Sequence, residues 1–213
     1  VEKNGFVGCV YLAMLREENL QFYRDRVYPE RTQQQVQLCR NPDAVVTLIK
    51  QSQGIFFNGG DQSKTLAALL TPDGQVSDVL EAIHQQVALG QLVVGGTSAG
   101  TAVQAGGRAN QRPIPMLTNG DSAVAMKRGA FAVDAPSQRC ASSSTCDTGL
   151  NSDDLTMRTA GGTGLFTLGL LDTHFSERDR ETRLAVATFD AGHRLGFGVD
   201  ETKELLIRTT PEG

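Results

Sequence analysis

Val76, Val79, Leu80, Ile83 and Val87 fall at i, i+3, i+4, i+7 and i+11, the stripe of an amphipathic helix. Gly90 stands where the left-handed end of that helix belongs. Short apolar runs bounded by glycine or acids read as strands instead: Gly54–Phe57, a buried strand at Leu92–Val94, Gly164–Leu171 and Leu195–Val199. Leu205–Ile207 is expected to pair antiparallel with the last of these. A helix is predicted from Pro42, with Asn41 as N-cap and Ala44, Val45, Leu48 and Ile49 as its apolar face. Gln62–Leu70 reads as helix, as does the charged stretch Glu177–Ala191, with Ser176 as cap. Phe6–Leu15 reads as a strand, and residues 16–40 as mixed helix and loop around Pro29.

Residues 106–164 are rich in Gly, Ser, Thr, Asn and Asp, with strand signals only near Ala123–Ala132 and Met157. They are expected to form an elaborated loop region inside one α/β domain spanning residues 1–213, rather than a second domain. Strands alternating with helices predict a parallel sheet covered on both faces. In such sheets ligands sit beyond the carboxyl ends of the strands. Gly59–Gln62, Thr97–Gly100, Asp172–His174 and Asp200–Glu201 each follow a predicted strand, so all four gather at one edge.

That edge carries chemistry. Gly95-Gly96-Thr97-Ser98-Ala99-Gly100-Thr101 places a serine between a strand and a small-residue helix. A serine on such a turn exposes its hydroxyl as a nucleophile. Free N–H groups at the start of the next helix point at the place where an oxyanion would form. The N–H of Ala99 and one from the Gly59-Gly60-Asp61 loop, taken as Gly60, are the expected donors. The plain alternative is a glycine-rich turn with no catalytic role. Ser98 needs a base, and the chain has three histidines. His84 is mid-helix and reads as packed or solvated, and His193 lies in a glycine-flanked turn. His174 follows a strand end on the edge that carries Ser98 and is the expected base. Glu201 is the preferred acid to orient it, with Asp200 and Asp172 as alternatives.

Bulk properties narrow the classes. A net charge of −4 and a pI near 5.4 leave no basic face for nucleic acid. The absence of tryptophan and the presence of only three tyrosines argue against a base-stacking platform. No apolar run has the length of a membrane span. Cys9, Cys39, Cys140 and Cys146 form no C-x-x-C pair, so no zinc site is expected. Cys140 and Cys146 flank a polar loop and are candidates for a small disulfide, which leans toward a secreted or periplasmic setting. Four free thiols in a cytoplasmic protein are the alternative.

Four blocks occur in order: Phe56-Phe57-Asn58-Gly59-Gly60-Asp61-Gln62, Gly95–Gly100, Asp172-Thr173-His174-Phe175-Ser176-Glu177-Arg178-Asp179-Arg180 with Arg183-Leu184, and Gly198-Val199-Asp200-Glu201. Over roughly residues 41 to 207 the chain resembles cyanophycinase, grouped with aspartyl dipeptidase in a family of serine peptidases. The resemblance implies a flavodoxin-like α/β core, akin to class I glutamine amidotransferases with serine replacing their cysteine. That core is a three-layer sandwich with a mostly parallel sheet. The resemblance also implies cleavage of β-aspartyl peptide bonds with release of β-aspartyl-arginine, often a homodimer, and no metal or cofactor.

Cyanophycin is a poly-aspartate backbone with arginine on each side-chain carboxyl. A site for it has to hold a carboxylate, for which Arg178, Arg180 and Arg183 are suited. It also has to hold a guanidinium, for which Asp61, Asp172 and Glu177 are available. Gln62 is expected to bond the substrate backbone. The plain reading of the charge run is a solvated helix face. Thr173 stands where cyanophycinases typically carry glutamine, the part before Asn41 matches poorly, and an initial strand is expected to be missing. The rival readings are an aspartyl or isoaspartyl dipeptidase acting on short peptides and a non-catalytic binding module of the same fold. A glutamine amidotransferase is disfavoured by serine at position 98.

Overall fold

The computed structural model describes residues 42–109, 111–133 and 150–208. Asn41, the Phe6–Leu15 strand, residues 16–40 and Cys9, Cys39, Cys140 and Cys146 lie outside the described residues. The chain enters through helix α1 (Pro42–Gln51), which buries Val45 and Ile49. Strand β1 (Gly54–Phe57) follows and buries Ile55 and Phe57. A crossover of two helices, α2 (Gln62–Leu69) and α3 (Asp78–Ala88), returns the chain to β2 (Val93–Gly96). β2 pairs parallel to β1, from Gly54↔Val93 to Phe57↔Gly96. The predicted stripe of α3 buries Leu80 and Ile83, with Val79 and Val87 packed against the same core. Val76 lies before the helix, bridged to Leu70, and Gly90 adopts the predicted positive φ of 68°.

Serine 98 then turns the chain into the short helix α4 (Ala99–Ala102). Beyond it come β3 (Arg108–Ala109), β4 (Arg112–Pro113), β5 (Met116–Asn119), α5 (Ser122–Arg128), β6 (Ala130–Ala132) and β7 (Leu155–Arg158). β8 (Leu170–Thr173) and β9 (Gly196–Val199) form a second parallel pair, joined through α6 (Glu181–Asp190). The result is a mixed α/β fold with parallel pairing. One apolar core lies among α1, α2, α3 and β1. A second joins Ile114, Leu117, Leu155 and Leu170 to Leu184 and Ala187 of α6.

The structure corrects several expectations. Among the described residues the strands fall into four sheets of two or three strands, not one continuous sheet. Leu92 is buried, but Val93 of β2 is 71% exposed, so this is not a fully buried strand. The strand expected at Gly164–Leu171 begins only at Leu170, and before it Phe166 makes a single parallel bridge to Ala105. Residues 106–164 hold a three-stranded sheet, β5-β7-β6, rather than loop alone. Ala123–Ala132 is mostly helix: the Asp121 carboxylate accepts from Ala123 N and Val124 N and starts α5, and Gly129 ends it before β6. Leu205–Ile207 forms no strand, and all three side chains are exposed, so no face is buried to hold one. The Glu177–Ala191 helix is broken into a 3₁₀ turn at Ser176–Arg178 and α6, separated by left-handed Asp179. Ser176 caps neither.

Three glycines make the Ser98 turn possible by what they leave out. A side-chain carbon at Gly96 would lie 2.2 Å from the Gly100 carbonyl oxygen. One at Gly100 would lie 2.0 Å from the Phe57 carbonyl oxygen, and one at Gly95 would meet the Phe56 ring at 2.9 Å. The start of α4 is therefore pressed against the end of β1. Gly100→Ala has only backbone to push against, and severe steric conflict of this kind costs about 4 kcal/mol or more. The expected outcome is a large loss of stability in denaturant unfolding. An unchanged midpoint would contradict the packing described.

Candidate active site

Ser98 sits at φ 53° and ψ −121°, outside the ordinary regions for a residue with a side chain. Such a conformation costs on the order of 1–3 kcal/mol and persists only where its surroundings enforce it. Here Thr97 N donates to the Phe57 carbonyl (3.1 Å), the Thr101 hydroxyl to the Gly96 carbonyl (2.8 Å) and Gln104 Nε2 to the Gly100 carbonyl (2.9 Å). The loop after β1 passes beside the serine: a side-chain carbon at Gly59 would lie 3.7 Å from Ser98 Oγ.

His174 follows β8 and also has a positive φ, 49°. Its Nδ1 lies 2.7 Å from Glu201 Oε1 and its Nε2 2.7 Å from Ser98 Oγ. An ionised carboxylate only accepts, so Nδ1 carries the proton and Nε2 is left to accept from the serine hydroxyl. Ser98, His174 and Glu201 thus stand in one hydrogen-bonded line drawn from three separate strand ends. The alternatives to Glu201 are engaged elsewhere: Asp200 accepts from Ser176, and Asp172 lies in an internal ion pair. Ala99 is the first residue of α4, and neither its N–H nor that of Gly60 donates to a protein group among the described residues. His84 Nε2 lies 2.7 Å from the Thr163 carbonyl and His193 Nε2 2.7 Å from the Pro113 carbonyl, so both are packed away from the serine.

The expected substrate groups divide. Arg178 is exposed and has no ion pair among the described residues. Arg180 Nη1 donates to the Thr173 carbonyl (2.7 Å) and lies 3.5 Å from Asp172. Burial, and then the neighbouring Arg183 charge, lower its pKa to about 10, so it stays cationic at neutral pH.

The other expected substrate groups make contacts within the protein. Asp172 and Arg183 are 2% and 7% exposed. Arg183 Nε and Nη2 donate to the two Asp172 oxygens at 2.7 and 2.6 Å, and Nη1 to the Gly120 carbonyl at 2.6 Å. Asp172 therefore does not stand open to a substrate guanidinium, nor Arg183 to a substrate carboxylate. Thr173 is buried in β8. Asp61 is the N-cap of α2, accepting from Ser63 N and Lys64 N. Gln62 Nε2 donates to the Leu117 carbonyl (2.8 Å), tying α2 to β5. Ser122, which the sequence reading missed, joins α5 to this group: it accepts from Arg183 N and donates to the Asp179 carbonyl. No local pattern marks that contact, which spans about sixty positions.

Among the described residues no group of His, Cys, Asp and Glu could hold a metal ion, and no helix is long and apolar enough to cross a membrane. Serine, imidazole and carboxylate aligned in this way can make the serine hydroxyl a nucleophile. No family model matches the chain. It is similar to the cyanophycinase of Geminocystis herdmanii, 29% identical over 153 residues, which is 72% of this chain and 42% of that protein. It is 30% identical over 154 residues to that of Trichormus variabilis, covering 72% of this chain and 38% of that one. It is also 30% identical over 159 residues to that of Synechococcus elongatus, covering 75% and 37%. These matches support a cyanophycinase-like family assignment over the residues they cover. It spans about two fifths of the length of these curated relatives.

Removing one partner of a buried ion pair strands the other, at a cost of about 3–5 kcal/mol. Arg183→Ala and Asp172→Ala are each expected to lose stability on that scale. The double variant is expected to lose much less than their sum. Additive losses in urea unfolding would show that the pair is not a unit.

Proposed function

We propose that this protein is a serine-type peptidase of the cyanophycinase kind, releasing β-aspartyl-arginine from cyanophycin. The observation that carries the reading is the 2.7 Å contact of Ser98 Oγ with His174 Nε2, with Glu201 2.7 Å behind the imidazole. The substrate class comes from the similarity to cyanophycinases. The product fixes the bond. A β-aspartyl-arginine dipeptide leaves with its side-chain amide intact, so the scissile amide joins successive backbone aspartates. It is not the β-aspartyl bond that the family resemblance implies.

In the proposed reaction His174 Nε2 takes the hydroxyl proton as Ser98 Oγ attacks the carbonyl carbon. The N–H groups of Ala99 and Gly60 hold the oxyanion, which develops where donors are already oriented. The C–N bond breaks, His174 returns the proton to the leaving amine, and an ester on Ser98 remains. Water, deprotonated by His174, cleaves that ester and restores the serine. Glu201 keeps the imidazole in the tautomer that accepts from Ser98 and stabilises the imidazolium between steps. Arg178, exposed and without an ion pair among the described residues, is the cation best placed to meet a substrate carboxylate. The flavodoxin-like, glutamine-amidotransferase-like core and a homodimer complete the proposal on the strength of the family resemblance.

Incubation with purified cyanophycin, followed by detection of β-aspartyl-arginine, tests the reading. The native protein is expected to release the dipeptide, and Ser98→Ala to fall by at least about 10³-fold while remaining folded. Retained release by Ser98→Ala would overturn the nucleophile. Inactivity on the polymer with Ser98-dependent cleavage of short β-aspartyl peptides would move the protein to the dipeptidase reading.

A further inference from the structure

β8 and β9 pair in register as far as Thr173↔Val199, and there the ladder stops. The next residues carry the chemistry. His174 turns away at φ 49°, and Thr202, one residue past Glu201, has a φ of 62°. Neither chain can offer its neighbour an extended backbone beyond this point, yet the Glu201 carboxylate has to meet the His174 imidazole. Glu201 is half exposed. A solvated carboxylate on a flexible side chain gains too little from an ion pair to hold one geometry unaided.

Two side-chain carboxylates continue the join where the backbone ladder ends. Ser176 donates from both its N–H (2.8 Å) and its hydroxyl (2.6 Å) to Asp200 Oδ1. In the other direction, Glu201 N–H donates to Glu177 Oε1 (2.9 Å). Each turn therefore gives a backbone N–H to an acid of the other turn, and the acid takes the place of the missing strand carbonyl. Hydrogen bonds to an ionised acceptor are roughly twice as strong as neutral ones. The Ser176 hydroxyl, and then its N–H, hold the Asp200 carboxyl below the usual carboxylate range, so it remains ionised as an acceptor.

We propose that the Ser176-Glu177 and Asp200-Glu201 turns form a reciprocal clamp that fixes the backbone of Glu201 and so aims its carboxylate at His174, with Glu177 and Asp200 as positioning residues. The kinetic consequence rests on the proposed function; the geometric claim does not. Glu177, considered above as a substrate ligand, is thereby assigned to support.

The test compares Glu177→Ala with Glu177→Gln, which keeps a carbonyl oxygen where the Glu201 N–H needs one. Two readouts are taken: the far-downfield proton resonance of His174 Nδ1–H bonded to carboxylate, and kcat and KM on cyanophycin. Glu177→Ala is expected to lose the resonance and to lower kcat about 10–100-fold with KM unchanged, the scale on which small misplacements act. Glu177→Gln is expected to restore both. Asp200→Ala, which opens the other half of the clamp, is expected to match Glu177→Ala. A native-like resonance and kcat in both alanine variants would overturn the clamp. So would a Glu177→Gln variant as defective as alanine, since charge rather than the hydrogen bond would then matter. The resonance requires no turnover, so a wrong substrate or nucleophile would leave this result standing.

Discussion

Asp172 and Arg183 are both removed from water, and neither can be left alone there. A buried carboxylate without its bidentate guanidinium would carry a desolvation penalty that the longer Arg180 contact at 3.5 Å does not replace. The pair is bidentate, and the third arm of Arg183 reaches the Gly120 carbonyl. It therefore joins three elements: β8, α6 and the turn between β5 and α5. His174 is two residues beyond Asp172, so the imidazole is mounted next to this anchor. Arg180, which reaches the Thr173 carbonyl, adds a second cation to the same anchor.

The first half arrives at the site by a different constraint. β1, β2 and α4 meet so closely that only hydrogen fits at positions 96 and 100. That contact forces Ser98 into its unusual backbone conformation and leaves its hydroxyl standing above the sheet end. Two strained residues, Ser98 and His174, face each other from separate parallel pairs. Strain of this kind collects where an arrangement is enforced for chemistry rather than for stability. Between the halves, Gln62 ties α2 to β5, and His84 ties α3 to the Thr163 carbonyl.

What the sequence made legible follows from range. The Ser98 turn is written in contiguous residues, and so is the stripe of α3. His174 could be picked from three histidines because its position relative to a strand is a local matter. Choosing Glu201 over Asp200 was harder. Adjacent residues at a strand end point to opposite sides, and long-range contacts fix which is which: Asp200 takes the Ser176 hydroxyl and Glu201 meets His174. Asp172 and Arg183 were visible as charges, but their burial depends on α6 folding back across β8, which no short pattern states. The same holds for Asp61 and Gln62, whose side chains were spent on a helix cap and on β5. α5 is a helix because Asp121 caps it and Ala123, Ala125, Met126, Lys127 and Arg128 all favour helix, with Val124 the only strand former among them. The broken helix after His174 was hidden: its charged residues suit a helix, but the turn is set by contacts to β8 and to the Asp200-Glu201 turn.

The central claim is that Ser98 is activated by His174, and covalent labelling addresses it without assuming a substrate. The protein is treated with a serine-directed phosphonate and the modified peptide located by mass spectrometry. One adduct is expected, on Ser98, that is lost in a folded His174→Ala variant. A protein that takes no label, or takes it elsewhere, or labels equally well without His174, would contradict it.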